Sequence, residues 1–205
     1  MPDGEQARIV EPRGRHNLAV GLTNRIRVSI EGNAGYFIGG LCDGPDVVVD
    51  GFVGWSVAEN LMSGTVRVRG NASECAGATA HGGTLVIEGD ASSRAGISLK
   101  GGTVLVAGDV GHMSGFMAQA GVILVGGDAH ESLGDSLYEA VVYVGGAIAS
   151  LGSDARVEDL SSDDVTRVRA LVRTAGFDHV DPENVTRVAS ARELYHFDAV
   201  KAHQY

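Results

Sequence analysis

The chain is predicted to be all-β: a right-handed parallel β-helix of about seven 19-residue coils, followed by a short C-terminal helix and tail. Three observations predict it. Seven glycines, Gly32, Gly51, Gly70, Gly89, Gly108, Gly127 and Gly146, follow one another at intervals of 19 residues. Residues at matching offsets form columns of one chemistry, such as Ile30, Val49, Val68, Ile87, Val106, Val125 and Val144 two places before each glycine. No insertion interrupts the period between Gly32 and Gly146. Successive strands of such a stack lie ~4.8 Å apart, so an inserted residue would throw every later column out of line.

Within each repeat, alternating apolar residues mark a strand with one buried face, as in Thr84-Leu85-Val86-Ile87-Glu88. The glycine that follows allows a bend with positive φ or a close backbone approach. A second column of small residues, Gly39, Ala58, Gly77, Gly96, Gly115, Gly134 and Ser153, lies seven places further on. Two more short inward-facing stretches should complete each coil. A leucine-rich-repeat solenoid fits less well, because no unit carries the Leu-x-x-Leu-x-Leu pattern.

Three regions follow in order. Residues 1–25 lack the period and carry Arg8, Arg13 and Arg15, with Arg25 and Arg27 at the join; they read as an N-terminal arm or an end-cap, or as a segment that docks on an acidic partner. Residues 26–158 are the parallel β-helix. Residues 159–205 are a C-terminal helix and tail. Ser161-Ser162-Asp163-Asp164 is a helix start, and Val165, Val168, Leu171 and Val172 share one helical face. Gly176 is the stop, and a mixed tail runs through Ser190-Ala191-Arg192-Glu193-Leu194-Tyr195-His196-Phe197. The helix either caps the last coil or lies in a partner's groove.

Composition narrows the partners. The 205 residues carry a net charge of −10, which disfavours nucleic acid and acidic membrane surfaces. No apolar run of signal-peptide or membrane-spanning type occurs, so a cytoplasmic protein is expected. Cys42 and Cys75 sit at different offsets and read as reduced thiols. Tyr36, Trp55 and His112 share one offset, either an exposed ridge for partner contact or ordinary surface.

A search for chemistry is negative. The sequence holds no G-x-G-x-x-G, Walker loop, C-x-x-C or H-E-x-x-H; after His130-Glu131, Gly134 stands where the second histidine belongs. Gly54-Trp55-Ser56-Val57-Ala58 approximates a nucleophile elbow without its final glycine. His81, His112 and His130 fall at three offsets, so stacking does not gather them. Gly89-Asp90, Gly108-Asp109 and Gly127-Asp128 read as turns rather than calcium sites. No catalytic, cofactor-binding or metal residue is expected, and the seven glycines are assigned as a structural ladder.

The segments from Gly83 to Asp90, Gly102 to Asp109 and Gly111 to Ala118 resemble the GXGXG β-helix family. That family includes the C-terminal domain of the glutamate synthase large subunit and the β-helical subunit of formylmethanofuran dehydrogenase. The stretch from Gly127 to Gly152, with the Ser-Ala-Arg-Glu-Leu-Tyr tail, is most similar to the small stand-alone subunit of N-methylglutamate synthases. The resemblance covers roughly residues 20–200; Ala58 and Ser153 depart from it where a second glycine is usual. It implies a non-catalytic scaffold subunit of an oxidoreductase complex in methylamine metabolism. Such a subunit would brace a glutamine-amidotransferase-like subunit and an FMN-binding, iron–sulfur-containing synthase subunit in a hetero-oligomer. The β-helical subunit of a formylmethanofuran dehydrogenase or formyltransferase complex is the alternative, and a free-standing β-helix enzyme a third reading.

Overall fold

The computed structural model describes residues 2–194, so Tyr195 to Phe197 of the expected tail lie outside the described residues. It is a parallel β-solenoid of about seven regular turns with one short helix, as the period predicts. Seven strands carry the repeat: β2 (Arg27–Glu31), β3 (Asp43–Val49), β4 (Ser63–Val68), β5 (Thr84–Ile87), β6 (Lys100–Val106), β7 (Ala120–Val125) and β8 (Val141–Val144). Each pairs in parallel with the next, and the inward column keeps the predicted register: Val28 lies beside Val47, Val47 beside Val66, and so on to Ile123 beside Val142, with a one-residue shift only where Asp43 meets Ser63 and Lys100 meets Ala120. Like side chains therefore stack on like, and Ile30, Val49, Val68, Ile87, Val106, Val125 and Val144 form a fully buried column.

The remaining two walls are the two short inward-facing stretches of each coil. One is a single bridging residue per coil, the series Val53, Ala72, Ala91, Val110, Ala129 and Ile148. The other is a corner in which alternate residues are left-handed: Phe37, Gly39 and Leu41 have φ of 61°, 66° and 58°, and Ser56, Ala58 and Asn60 repeat the pattern at 60°, 57° and 53°. Flipping alternate peptide planes sends successive amides along the stack in opposite directions. Phe37 and Leu41 donate to Trp55 O and Glu59 O of the following coil, both at 2.8 Å, and Gly39 donates to Leu18 O of the preceding one at 3.0 Å. A left-handed non-glycine residue costs roughly 1–2 kcal/mol, which these inter-coil hydrogen bonds offset. The middle position faces the core, where a Cβ on Gly77 would meet Val104 Cγ2 at 2.7 Å. Ser153 does not occupy it: Leu133 bridges Leu151, so the last coil is one residue short and Asp154 takes the left-handed φ of 61°.

Both ends carry strands outside the period. Strand β1 (Gln6–Val10) runs parallel to β2, with Ala7 beside Val28 and Ile9 beside Ile30. The N-terminal segment thus forms a rung of its own, 21 residues from the next. At the other end, β10 (Thr186–Ser190) lies antiparallel between β8 and β9 (Ala155–Glu158), and Val188 packs on the exposed end of the core. This strand, not the helix, closes the last coil.

Helix α1 (Ser162–Ala175) begins at Ser161, whose hydroxyl accepts from Asp164 N while the Asp164 carboxylate accepts from Ser161 N, and it ends at left-handed Gly176. It neither caps the stack nor stands free for a partner's groove: it lies along the flank. Val168, Ala175, Phe177, Val180 and Val185 form a second core with the outward-facing Val86, Leu105, Leu124 and Tyr143. The outward column explains the placement. It is mixed through Ser29, Val48 and Arg67, then continuously apolar from Val86 onward, and an apolar outer wall needs a cover. Arg67 marks the boundary, donating to Ala175 O at 3.1 Å and Thr174 O at 3.3 Å, where a cation favours the helix C-terminus.

Candidate interaction surface

The ladder glycines are needed for close approach rather than for positive φ; of the seven, only Gly32 is left-handed, at 125°. The residue after each glycine shows why. Asn71 Oδ1 accepts from Asp90 N at 3.0 Å, Asp90 Oδ1 from Asp109 N at 3.0 Å, Asp109 Oδ1 from Asp128 N at 2.7 Å, and Asp128 Oδ1 from Ala147 N at 2.7 Å. Each acceptor oxygen sits where a Cβ on the next glycine would stand, so a side chain there would overlap it. The repeated Gly-Asp steps are thus rungs of a side-chain ladder that supplements the backbone bonds between coils. Among the described residues no group of three or more His, Cys, Asp or Glu is placed to hold a metal ion.

The ladder is interrupted at one rung. Asn33 Oδ1 accepts from Phe52 N at 3.1 Å, but Phe52 has no oxygen to offer Asn71. No acceptor for the Asn71 N–H is found among the described residues. Phe52 instead turns outward and is 54% exposed.

Beside Phe52 stands the aromatic column. Tyr36 and Trp55 stack with ring centres 5.3 Å apart and planes 12° from parallel. His16 extends the stack on Tyr36 at 4.4 Å, and its Nδ1 accepts from Tyr36 N at 2.8 Å. Tyr36 is 47% and Trp55 50% exposed, so this offset begins as an exposed aromatic stack. His112 does not join, because Glu74 and Ser93 occupy the intervening coils. His16 escaped the sequence reading because it lies 20 residues before Tyr36, off the period. Trp55, Phe52 and Tyr36 line an open groove of about 840 Å³ with Arg69, Asn71 and Ser73; the Arg69 guanidinium is 2.9 Å from Asp50.

The most tightly bonded polar cluster lies on the other flank and locks the helix down. Tyr143, fully buried, donates to Asp164 Oδ1 at 2.5 Å, and Arg187 bonds both Asp164 and Glu158. Burial and the bond to Asp164 push the Tyr143 phenol up to about 12. Burial alone would raise Asp164, but hydrogen bonds from Ser161 and Tyr143, with the Arg187 charge, outweigh it and hold the carboxyl down at about 2. This cluster is filled by its own members and positions α1.

The other candidates are not assembled into chemistry. Ser56 sits in the left-handed corner, its amide bonded to Glu74 O, not on a strand-to-helix turn. Cys42 and Cys75 are free thiols, both raised in pKa first by burial; Cys42 donates to Ala19 O at 3.0 Å. Among the described residues no helix is long and apolar enough to cross a membrane.

No family model matches the chain. Over 58 residues it is 45% identical to Protein GlxC of Rhizobium meliloti (strain 1021), a stretch that makes up 28% of this chain. The match spans about a quarter, 25%, of the length of that relative.

Proposed function

We propose that this chain is a non-catalytic scaffold subunit of a glutamate-synthase-like complex, most closely of the N-methylglutamate synthase type. In that complex it braces a glutamine-amidotransferase-like subunit against a synthase subunit that carries FMN and an iron–sulfur cluster, in the cytoplasm. The observation that carries the reading is the unbroken 19-residue register from Val28 to Val142. That is the architecture the resemblance to GXGXG β-helix domains implies. The partial similarity to Protein GlxC supports it. A stack whose side chains are spent on inter-coil ladders offers shape rather than reactive groups.

The test is co-expression of the full chain with amidotransferase-like and FMN-synthase-like subunits from the same source. A stable hetero-oligomer is expected, with flavin and glutamine-dependent transfer found only when the partners are present. Bound flavin, or glutaminase or methylamine-transferring activity, in the chain purified alone would refute the proposal.

A further inference from the structure

We infer that the interrupted rung is a docking site for a protein partner's loop, one that inserts an aspartate side chain against Asn71 beside a hydrophobic ring. The reading deepens the scaffold proposal and rests on it only for the identity of the partner. At the neighbouring rungs the amide after the ladder glycine is met by an Asx oxygen, so the ligand atom wanted at Asn71 N–H is defined by the molecule itself. Three of the five rung acceptors, Asp90, Asp109 and Asp128, are aspartates; Arg69 lines the same groove and is paired with Asp50 at 2.9 Å.

The surroundings select a protein rather than a small molecule. A small-molecule site encloses most of its ligand, whereas this groove is open and its rings stand half exposed. Tryptophan, tyrosine and arginine together are the residues that anchor protein interfaces. Tyr36 covers one face of Trp55; the offset that would place a ring on its other side holds Glu74, so a partner's ring can continue the stack there.

Trp55 is the single tryptophan of the chain, so its fluorescence reads the site directly. The probes are acetyl-Asp-Phe-amide and acetyl-Phe-Asp-amide, compared with acetyl-Ala-Phe-amide and with acetyl-Asp-amide alone. At least one Asp-Phe order is expected to shift Trp55 emission saturably, about tenfold more tightly than either comparison peptide. Phe52→Asn supplies the missing oxygen from within the chain. It should abolish the response while melting at or above the wild-type temperature, by about 2–4 °C if the new bond forms fully. Equal titration by all four probes, or an undiminished response in Phe52→Asn, overturns the site. The amide signal of Asn71 in wild-type protein decides the matter without a variant: it must move with the better Asp-Phe probe and stay with acetyl-Ala-Phe-amide. If the peptides fail while the synthase-type subunits still assemble, the site falls and the scaffold stands; the reverse result removes the scaffold and keeps the site.

Discussion

Asp164 joins the helix to the outer wall, and replacing it with asparagine isolates its charge from its shape. Asparagine keeps one acceptor oxygen, enough for Tyr143 or the Ser161 N–H but not both, and cannot form the ion pair with Arg187, so it approximates the protonated aspartic acid. The carboxyl is held from 3.8 down to about 2, a shift that corresponds to about 2 kcal/mol of stability in the ionised state. Its side chain is 14% exposed, so solvent screening removes little of this. Because the folded value lies below the unfolded one, the contribution is complete above about pH 4. It is lost as the pH falls towards 2. Urea unfolding of wild type and Asp164→Asn, measured from pH 7 to pH 2, should show a gap of about 2 kcal/mol that closes at the acid end. Carboxylates elsewhere affect both proteins alike and cancel in the difference. A gap that persists at pH 2, or none at pH 7, would refute the charge argument. Tyr143 has the opposite sign: its raised value favours the fold below about pH 10 and loses that benefit as the pH climbs towards 12. It reflects the same hydrogen bond, so the two effects are not summed.

Two further predictions test the ladders. Gly108→Ala should cost about 1 kcal/mol, because the new Cβ displaces Asp90 Oδ1 and the nearest backbone atom is 3.2 Å away; in an Asp90→Ala background most of that cost should disappear. Gly146→Ala, with Gly127 O at 2.5 Å and Gly127 C at 2.6 Å, should cost several times more with or without Asp128→Ala, as read by urea midpoints. Val106→Asp places a charge at a fully buried position and should unfold the stack, since the penalty of several kcal/mol competes with a total of roughly 5–15. A melting curve like wild type would show that Val106 does not point inward.

Much of the fold was legible because stacking turns sequence separation into spatial adjacency: residues 19 apart are neighbours, so a column in the alignment is a column in space. The same logic hid whatever departs from 19. Gln6–Val10 pairs at a spacing of 21, and β10 runs antiparallel, so neither joins a column. The left-handed corner was invisible because Ser56, Cys75 and Arg94 share a φ near 60° but no chemistry. The helix's resting place was written in the outward column, in the change from Arg67 to Val86, yet alternation alone presents that column as solvent-facing.

The reason for the glycine column lies one residue later, in Asn71, Asp90, Asp109 and Asp128. Those residues were legible as Gly-Asp steps; that a side chain reaches up to the next coil's amide required geometry. Once the ladder is recognised, Phe52 changes meaning. In a plain turn a phenylalanine is an exposed apolar residue that needs no account. In a ladder of acceptors it leaves one amide without an acceptor among the described residues and a ring half in water, beside the single tryptophan. A repeat protein stabilises itself through what recurs, because each coil needs only to match its neighbours. Contact with anything else must then be carried by the positions that break the pattern, and here three aromatic rings and an amide with no acceptor among the described residues break it together at one place.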